Sequence, residues 1–263
     1  MYRALQIAAT GMAAQQLNVE VISNNVANLN STGYKRRIAE FQDLLYQNLN
    51  RDVGVQSTTG GNLPPVGNQV GLGVKNSGIF INTNQGTLVK TDGKFDLAIQ
   101  GKGYFQVTNA DGTVYYTRSG RFSPDGNGLI VDPNGFQIDP GLTLPQDYQD
   151  VTINQQGEVF VTISNTVAPQ LVGRITAVNF LNESGLRPEG NNLFTETLAS
   201  GSPTQGNPGA IGYGTVQQGF IETSNVDAVN EITSLIVAQR AYELNSRVIS
   251  TSDDMLNAIN QIR

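Results

Sequence analysis

Apolar residues recur every seven positions at both ends of the chain. Leu5, Met12, Val19 and Val26 lie seven apart, with Ala8, Gln15, Ile22 and Leu29 three residues after each. Seven of these eight positions are apolar. At the other end Leu235, Tyr242, Ile249 and Leu256 are interleaved with Ala238, Asn245, Ser252 and Ile259, and six of the eight are apolar. Sustained a/d spacing predicts helices that pack as coiled coils; two ordinary amphipathic helices on a globular core would carry the same spacing. Gly33 stops the first helix and Ser224-Asn225-Val226-Asp227 caps the second, which sets lengths of roughly 28 and 38 residues. Ile232, Ile236, Leu244 and Val248 add apolar surface away from the seam. A single seam on two helices is marginal against the cost of ordering the backbone, so these helices need further neighbours.

Between the helices the period changes to two. Tyr104–Thr108, Val151–Ile153 and Val159–Ile163 alternate as strands do, and Asn109–Thr113, Pro124–Gly128 and Asp132–Gly135 punctuate them as hairpin turns. Strand-sized segments every 8–12 residues predict a compact β-domain over 92–200. Residues 51–73 stand apart: rich in Gly, Ser, Thr and Pro, they have little to bury. They read either as a flexible loop or as an extended arm that orders against a neighbour. The expected fold class is α+β, with terminal helices forming a coiled coil, an extended β arm and a central all-β domain. Its parts are an N-terminal helix over 1–33, a linker and β-hairpin arm over 34–91, the β-domain over 92–200, a return linker over 201–223 and a C-terminal helix over 224–263.

Composition narrows the chemistry. Among 263 residues there is no Cys, His or Trp, so disulfides, Cys/His zinc sites and nucleophile–His pairs are excluded. A net charge of -6 argues against a nucleic-acid binder, whose affinity comes from cations on phosphates. No apolar run is long enough for a membrane span, and Met1–Ile7 does not resemble a cleavable signal. Asp125-Gly126-Asn127-Gly128 lacks the distal Glu of a calcium loop, and Gly71-Leu72-Gly73 and Gly101-Lys102-Gly103 do not extend to phosphate-binding motifs. Asp253-Asp254 and Lys35-Arg36-Arg37 read as solvated charge. No catalytic residue, metal or cofactor is expected.

The segment Ser23 to Arg36 reads SNNVANLNSTGYKR and carries Asn24, Asn25, Ala27, Asn28, Thr32, Gly33, Tyr34 and Lys35. It resembles the signature of the bacterial flagellar rod and hook proteins. Gly219–Val226 with Gln239–Ser246 resembles the closing segment of that family, and Phe95–Phe105 resembles its DxAIxGxGFFxV strand, with Tyr104 where Phe is commoner. Within the family, the length and the 51–73 insertion, with Gly54, Leu63, Pro64 and Pro65, are most similar to distal-rod members. The resemblance implies a non-enzymatic structural subunit that self-assembles into a rigid hollow helical shaft carrying torque from motor to hook. It implies a homopolymer in contact with proximal rod and hook proteins, the P-ring and L-ring, and the flagellar export apparatus. It places the chain in the basal body, crossing the periplasm after export without a cleaved signal. Another axial subunit (a proximal rod or short hook protein) and a monomeric binding or adhesin module are the competing readings.

Overall fold

A computed structural model of the chain describes residues 2–48, 69–164 and 168–261. Two compact units emerge: Met1–Asn24 with Arg37–Phe80 and Val229–Arg263, and Asn25–Arg36 with Ile81–Ala228.

The first unit holds most of both long helices, α1 (Tyr2–Ala27) and α2 (Ala228–Gln261). Both are shorter than the spacing predicts. After Ala27 the amides of Asn28 and Leu29 bond three residues back to Asn25 and Val26, at 3.1 and 3.3 Å. This tight turn ends the helix six residues before Gly33. Leu29, expected on the seam, therefore sits in the turn. Asp227 stands immediately before α2, where a carboxylate faces the positive end of the helix. Arg37–Asp43 pairs with Val74–Ile81, and Tyr46–Asn48 pairs antiparallel with Gln69–Gly71. Gly73, at φ 114°, brings this ladder onto α1: a Cβ there would lie 2.2 Å from the Thr10 hydroxyl. That close approach accounts for the glycine at 73.

The second unit is the β-domain. Its largest sheet, nine strands among the described residues, is built around Tyr104–Thr108. That strand pairs with Val114–Thr117, Gln137–Ile138 and Ala177–Asn179. A three-stranded antiparallel sheet of Tyr148–Ile153, Glu158–Ile163 and Gln170–Arg174 completes the core. Alternation places Val159 and Val161 in contact with Phe105, Val107 and Ile138, all fully buried. Each such side chain contributes ~1.5–3 kcal/mol relative to exposure. A second cluster gathers Tyr104, Tyr116, Phe180 and Phe194, with Tyr116 and Phe180 edge-on at 4.8 Å. The unit also takes in segments expected to be linkers. Thr215–Gln218 pairs with Leu97–Gln100, and Phe220–Glu222 pairs with Leu88–Lys90.

Candidate functional site: a buried charged joint

The motif segment Asn25–Lys35 and the return segment Phe220–Asn225 lie side by side in the β unit. Gly33 makes the approach possible. It has φ 69°, donates its amide to the Glu222 carbonyl at 2.8 Å, and a Cβ there would sit 2.7 Å from the Arg118 and Ser119 backbone. Tyr34 follows, its hydroxyl donating to Asn25 Oδ1 at 3.1 Å. The Arg36 amide donates to Asn225 Oδ1 at 2.7 Å, and Asn225 Nδ2 spans the Asn82 and Asn84 carbonyls, at 2.9 Å each. The segment leaving α1 and the segment entering α2 are thereby tied by backbone and amide bonds.

At the centre is Glu222, 1 % exposed. Lys35 Nζ donates to its Oε1 at 2.6 Å, Arg118 Nη1 to its Oε2 at 3.4 Å, and the Gly86 amide to Oε1 at 2.9 Å. Lys35 also reaches the Asn84 carbonyl at 2.9 Å, and Arg118 reaches the Ile99 and Gly101 carbonyls at 3.3 and 2.7 Å. The Arg118 guanidinium lies 5.2 Å from the centre of the Tyr104 ring, and the Tyr104 hydroxyl donates to Glu183 at 3.1 Å. Burial lowers the Lys35 pKa despite the opposing pull of Glu222. Burial and the neighbouring Glu183 carboxylate raise that of Tyr104. Two cations share one carboxylate here in a low-dielectric setting, an arrangement suited to holding segments together.

The other motif residues are peripheral to this cluster. Asn24 and Ala27 are exposed on α1. Asn28 accepts from Ser31 Oγ at 3.1 Å, and the Thr32 hydroxyl lies 3.1 Å from that of Ser119. Sequence spacing did not single out Arg118, Asn225 or Glu222 as site residues. A charged residue directly after the apolar pair Phe220-Ile221 is the signal that could have found Glu222; Arg118 offered none.

In the first unit, Gly11 of α1 faces α2: a Cβ there would lie 3.0 Å from Asn245 Nδ2. Gln16, Val19, Glu20, Gln239, Tyr242 and Glu243 line a groove of about 350 Å³. Ile22 is buried, and Leu5, Met12, Val19, Leu235, Ile249 and Leu256 are half-buried. Val26, Tyr242 and Ile259 are exposed. The most deeply buried residues of α1 are Ala8 and Ile22, on the expected seam, and Ala14, Val21 and Asn25 beside it. Gly54, Leu63, Pro64 and Pro65 lie outside the described residues.

Three family models match in succession: the flagella basal body rod protein over residues 5–35, the flagellar hook protein FlgE/F/G D1 domain over 98–161, and the flagellar basal body rod FlgEFG protein C-terminal over 217–262. The flagellar basal-body rod protein FlgG of Caulobacter vibrioides is 54% identical over 261 residues, covering 99% of each chain. That of Agrobacterium fabrum is 49% identical, covering 98% of each. The chain belongs to the FlgG family of flagellar basal-body rod proteins. A hook-basal body complex protein of Bacillus subtilis, FlhP, is more distant at 32%. As a member of the FlgG family the chain is a structural rod subunit of the flagellum and not an enzyme. Each of the three matched segments supplies part of the charged joint: Lys35 from the first, Arg118 from the second, Glu222 and Asn225 from the third.

Proposed function

We propose that copies of this chain assemble through α1 and α2 into the inner coiled-coil layer of a hollow helical tube. The β unit forms the outer layer, and the tube carries torque from motor to hook as the distal rod. One observation carries this reading. Outside its covered stripe, α2 exposes Val229, Ile232, Val237, Leu244, Val248 and Met255, with Val229 72% and Leu244 62% exposed. Burying a Val or Leu contributes ~1.5–3 kcal/mol. Six such side chains suffice to offset the ~4–15 kcal/mol cost of association. Repeated head-to-tail contact that does not close gives a filament. The 51–73 insertion, whose Gly54, Leu63, Pro64 and Pro65 lie outside the described residues, supports the distal-rod reading by its sequence. The shaft crosses the periplasm after delivery by the flagellar export apparatus, joins proximal rod to hook proteins, and turns inside the P-ring and L-ring.

Negative-stain electron microscopy across a protein concentration series, paired with circular dichroism, tests this. Straight tubes whose appearance coincides with rising helicity are expected. Leu235→Asp with Ile249→Asp should abolish the tubes while leaving the β-unit signal intact. A stable, fully helical monomer at every concentration would favour a monomeric binding module instead.

A further inference from the structure

The turn after α1 and the segment before α2 wall a cavity of about 590 Å³ in the β unit. Leu29, Ile221 and Val226 give it an apolar side, and Ser31, Thr32 and Arg121 a polar one. Most of its polar groups are already engaged. Asn192 Nδ2 donates to the Thr32 carbonyl at 3.0 Å, the Thr223 hydroxyl to the Thr87 carbonyl at 3.0 Å, and the Thr32 hydroxyl pairs with Ser119. Arg121 is different. Its side chain makes no hydrogen bond or ion pair among the described residues, and it also edges a neighbouring cavity of about 270 Å³. The carboxylate of that second cavity, Asp132, is occupied by the amides of Asn134 and Phe136 and by Asn134 Nδ2, at 2.8–3.0 Å. The unspent capacity of the wall is therefore a guanidinium beside an apolar patch, which selects a carboxylate carried next to an apolar group.

We propose that this cavity receives the Asp253–Asp254 turn of α2 from a second copy of the chain, a contact that rests on the homopolymer reading above. The sequence contains one place where two acidic residues adjoin, and it is this pair. Both are exposed, and neither forms an ion pair or side-chain hydrogen bond among the described residues. The next residue, Met255, is 47% exposed and offers the apolar group that Leu29, Ile221 and Val226 would cover. A guanidinium has donors enough for two carboxylates. The contact sets the register between copies, because it joins a fixed point on one β unit to a fixed turn of its neighbour's helix.

Charge exchange tests the pairing on the full-length protein. Arg121→Glu alone and Asp253→Lys with Asp254→Lys alone should each raise the critical concentration for filaments at least about tenfold. Joined in one chain, they should bring it back to within about threefold of wild type. Near-ultraviolet circular dichroism melts identify any variant that fails to fold. A second measurement keeps both charges. Since the chain has no native Cys, Asn30→Cys copies mixed with Met255→Cys copies should form a disulfide-linked heterodimer on oxidation of assembled filaments. Near-wild-type assembly by either charge-reversed variant overturns the docking while leaving the polymer reading intact, as does absence of the heterodimer or of rescue. Failure of the wild type itself to form filaments overturns both.

Discussion

Glu222→Gln removes one negative charge and leaves Lys35 and Arg118, both at most 3% exposed, without their shared counter-ion. Breaking a buried pair by deleting one partner costs ~3–5 kcal/mol, because the partner's charge stays buried. Here the loss is bounded from above by the Asn84, Ile99 and Gly101 carbonyls, which continue to accept from the two cations. The Gly86 amide also loses its charged acceptor. For a domain in the 150–250-residue range ~3–5 kcal/mol corresponds to a Tm lower by roughly 6–20 °C. Lys35→Met should cost less. It leaves a neutral pair of Glu222 and Arg118, with the Gly86 bond intact, and removes the charge whose burial is unfavourable. Near-ultraviolet circular dichroism is the assay, since Tyr104 packs edge-on against Phe180 and Phe194 at 5.9 and 6.0 Å beside Arg118. It follows chiefly the β unit, since Tyr2 and Tyr242 of the long helices are exposed. The reasoning fails if Glu222→Gln melts within about 1 °C of wild type, or if Lys35→Met is the more damaging change.

Gly33→Ala should destabilise the β unit by ~1–3 kcal/mol in a denaturant melt, since the positive φ and the 2.7 Å approach to the Arg118 and Ser119 backbone both oppose a Cβ. The Tyr116 phenol is pushed up to about 12, chiefly by burial, and Tyr104 further by burial. A folded pKa above the unfolded value of 10.0 means stability that is complete below pH about 10 and lost as pH rises toward 12 and beyond. Tyr116→Phe should flatten that alkaline loss, read from melts across pH. Lys35 has the opposite sign: its burial penalty is relieved as pH approaches its unfolded value of 10.5, so Lys35→Met should remove a rising contribution just below it. Gly11→Val should separate α1 from α2 by pressing on Asn245, reducing helicity. Asn245→Ala in the same chain should restore it, both read by far-ultraviolet circular dichroism.

The elements that could be read from sequence are those in which local pattern and packing agree. The α1 and α2 repeats announced helices because one face of each meets a neighbour, and Val159 and Val161 announced a strand because alternate positions enter the core. Phe220–Glu222 and Thr215–Gln218 escaped notice because three- and four-residue strands among glycines carry no period. Their partners, Leu88–Lys90 and Leu97–Gln100, are more than a hundred residues away. The burial of Ala14 beside the expected seam went unread for a related reason. Ala8, Gly11 and Ala14 rank low as hydrophobic anchors, yet small size is what close approach demands. The charged joint was half legible. The pattern that names the family ends in Tyr34 and Lys35, but nothing local to that pattern says that Lys35 has a carboxylate 187 residues later.

That separation bears on how the shaft works. The chain passes between its two units at four points, and the segments that follow α1 and precede α2 both lie in the β unit. Within the β unit these two segments are fastened together: Gly33 to the Glu222 carbonyl, Arg36 to Asn225, Asn225 to the Tyr34 carbonyl, and Lys35 to the Glu222 side chain. Separating the two segments would break several of these bonds at once and expose Lys35, Arg118 and Glu222 in an unpaired state. The buried charge is thus poorly explained as a source of net stability, since an apolar cluster would serve as well. It is better explained as a device that fixes one register between the two segments. On this argument an all-apolar replacement, Lys35→Met with Arg118→Met and Glu222→Leu, should melt no lower than Glu222→Gln. It should nevertheless yield tubes with greater spread in curvature by electron microscopy. Tubes as straight as wild type from that triple variant would show that the charges do not set stiffness.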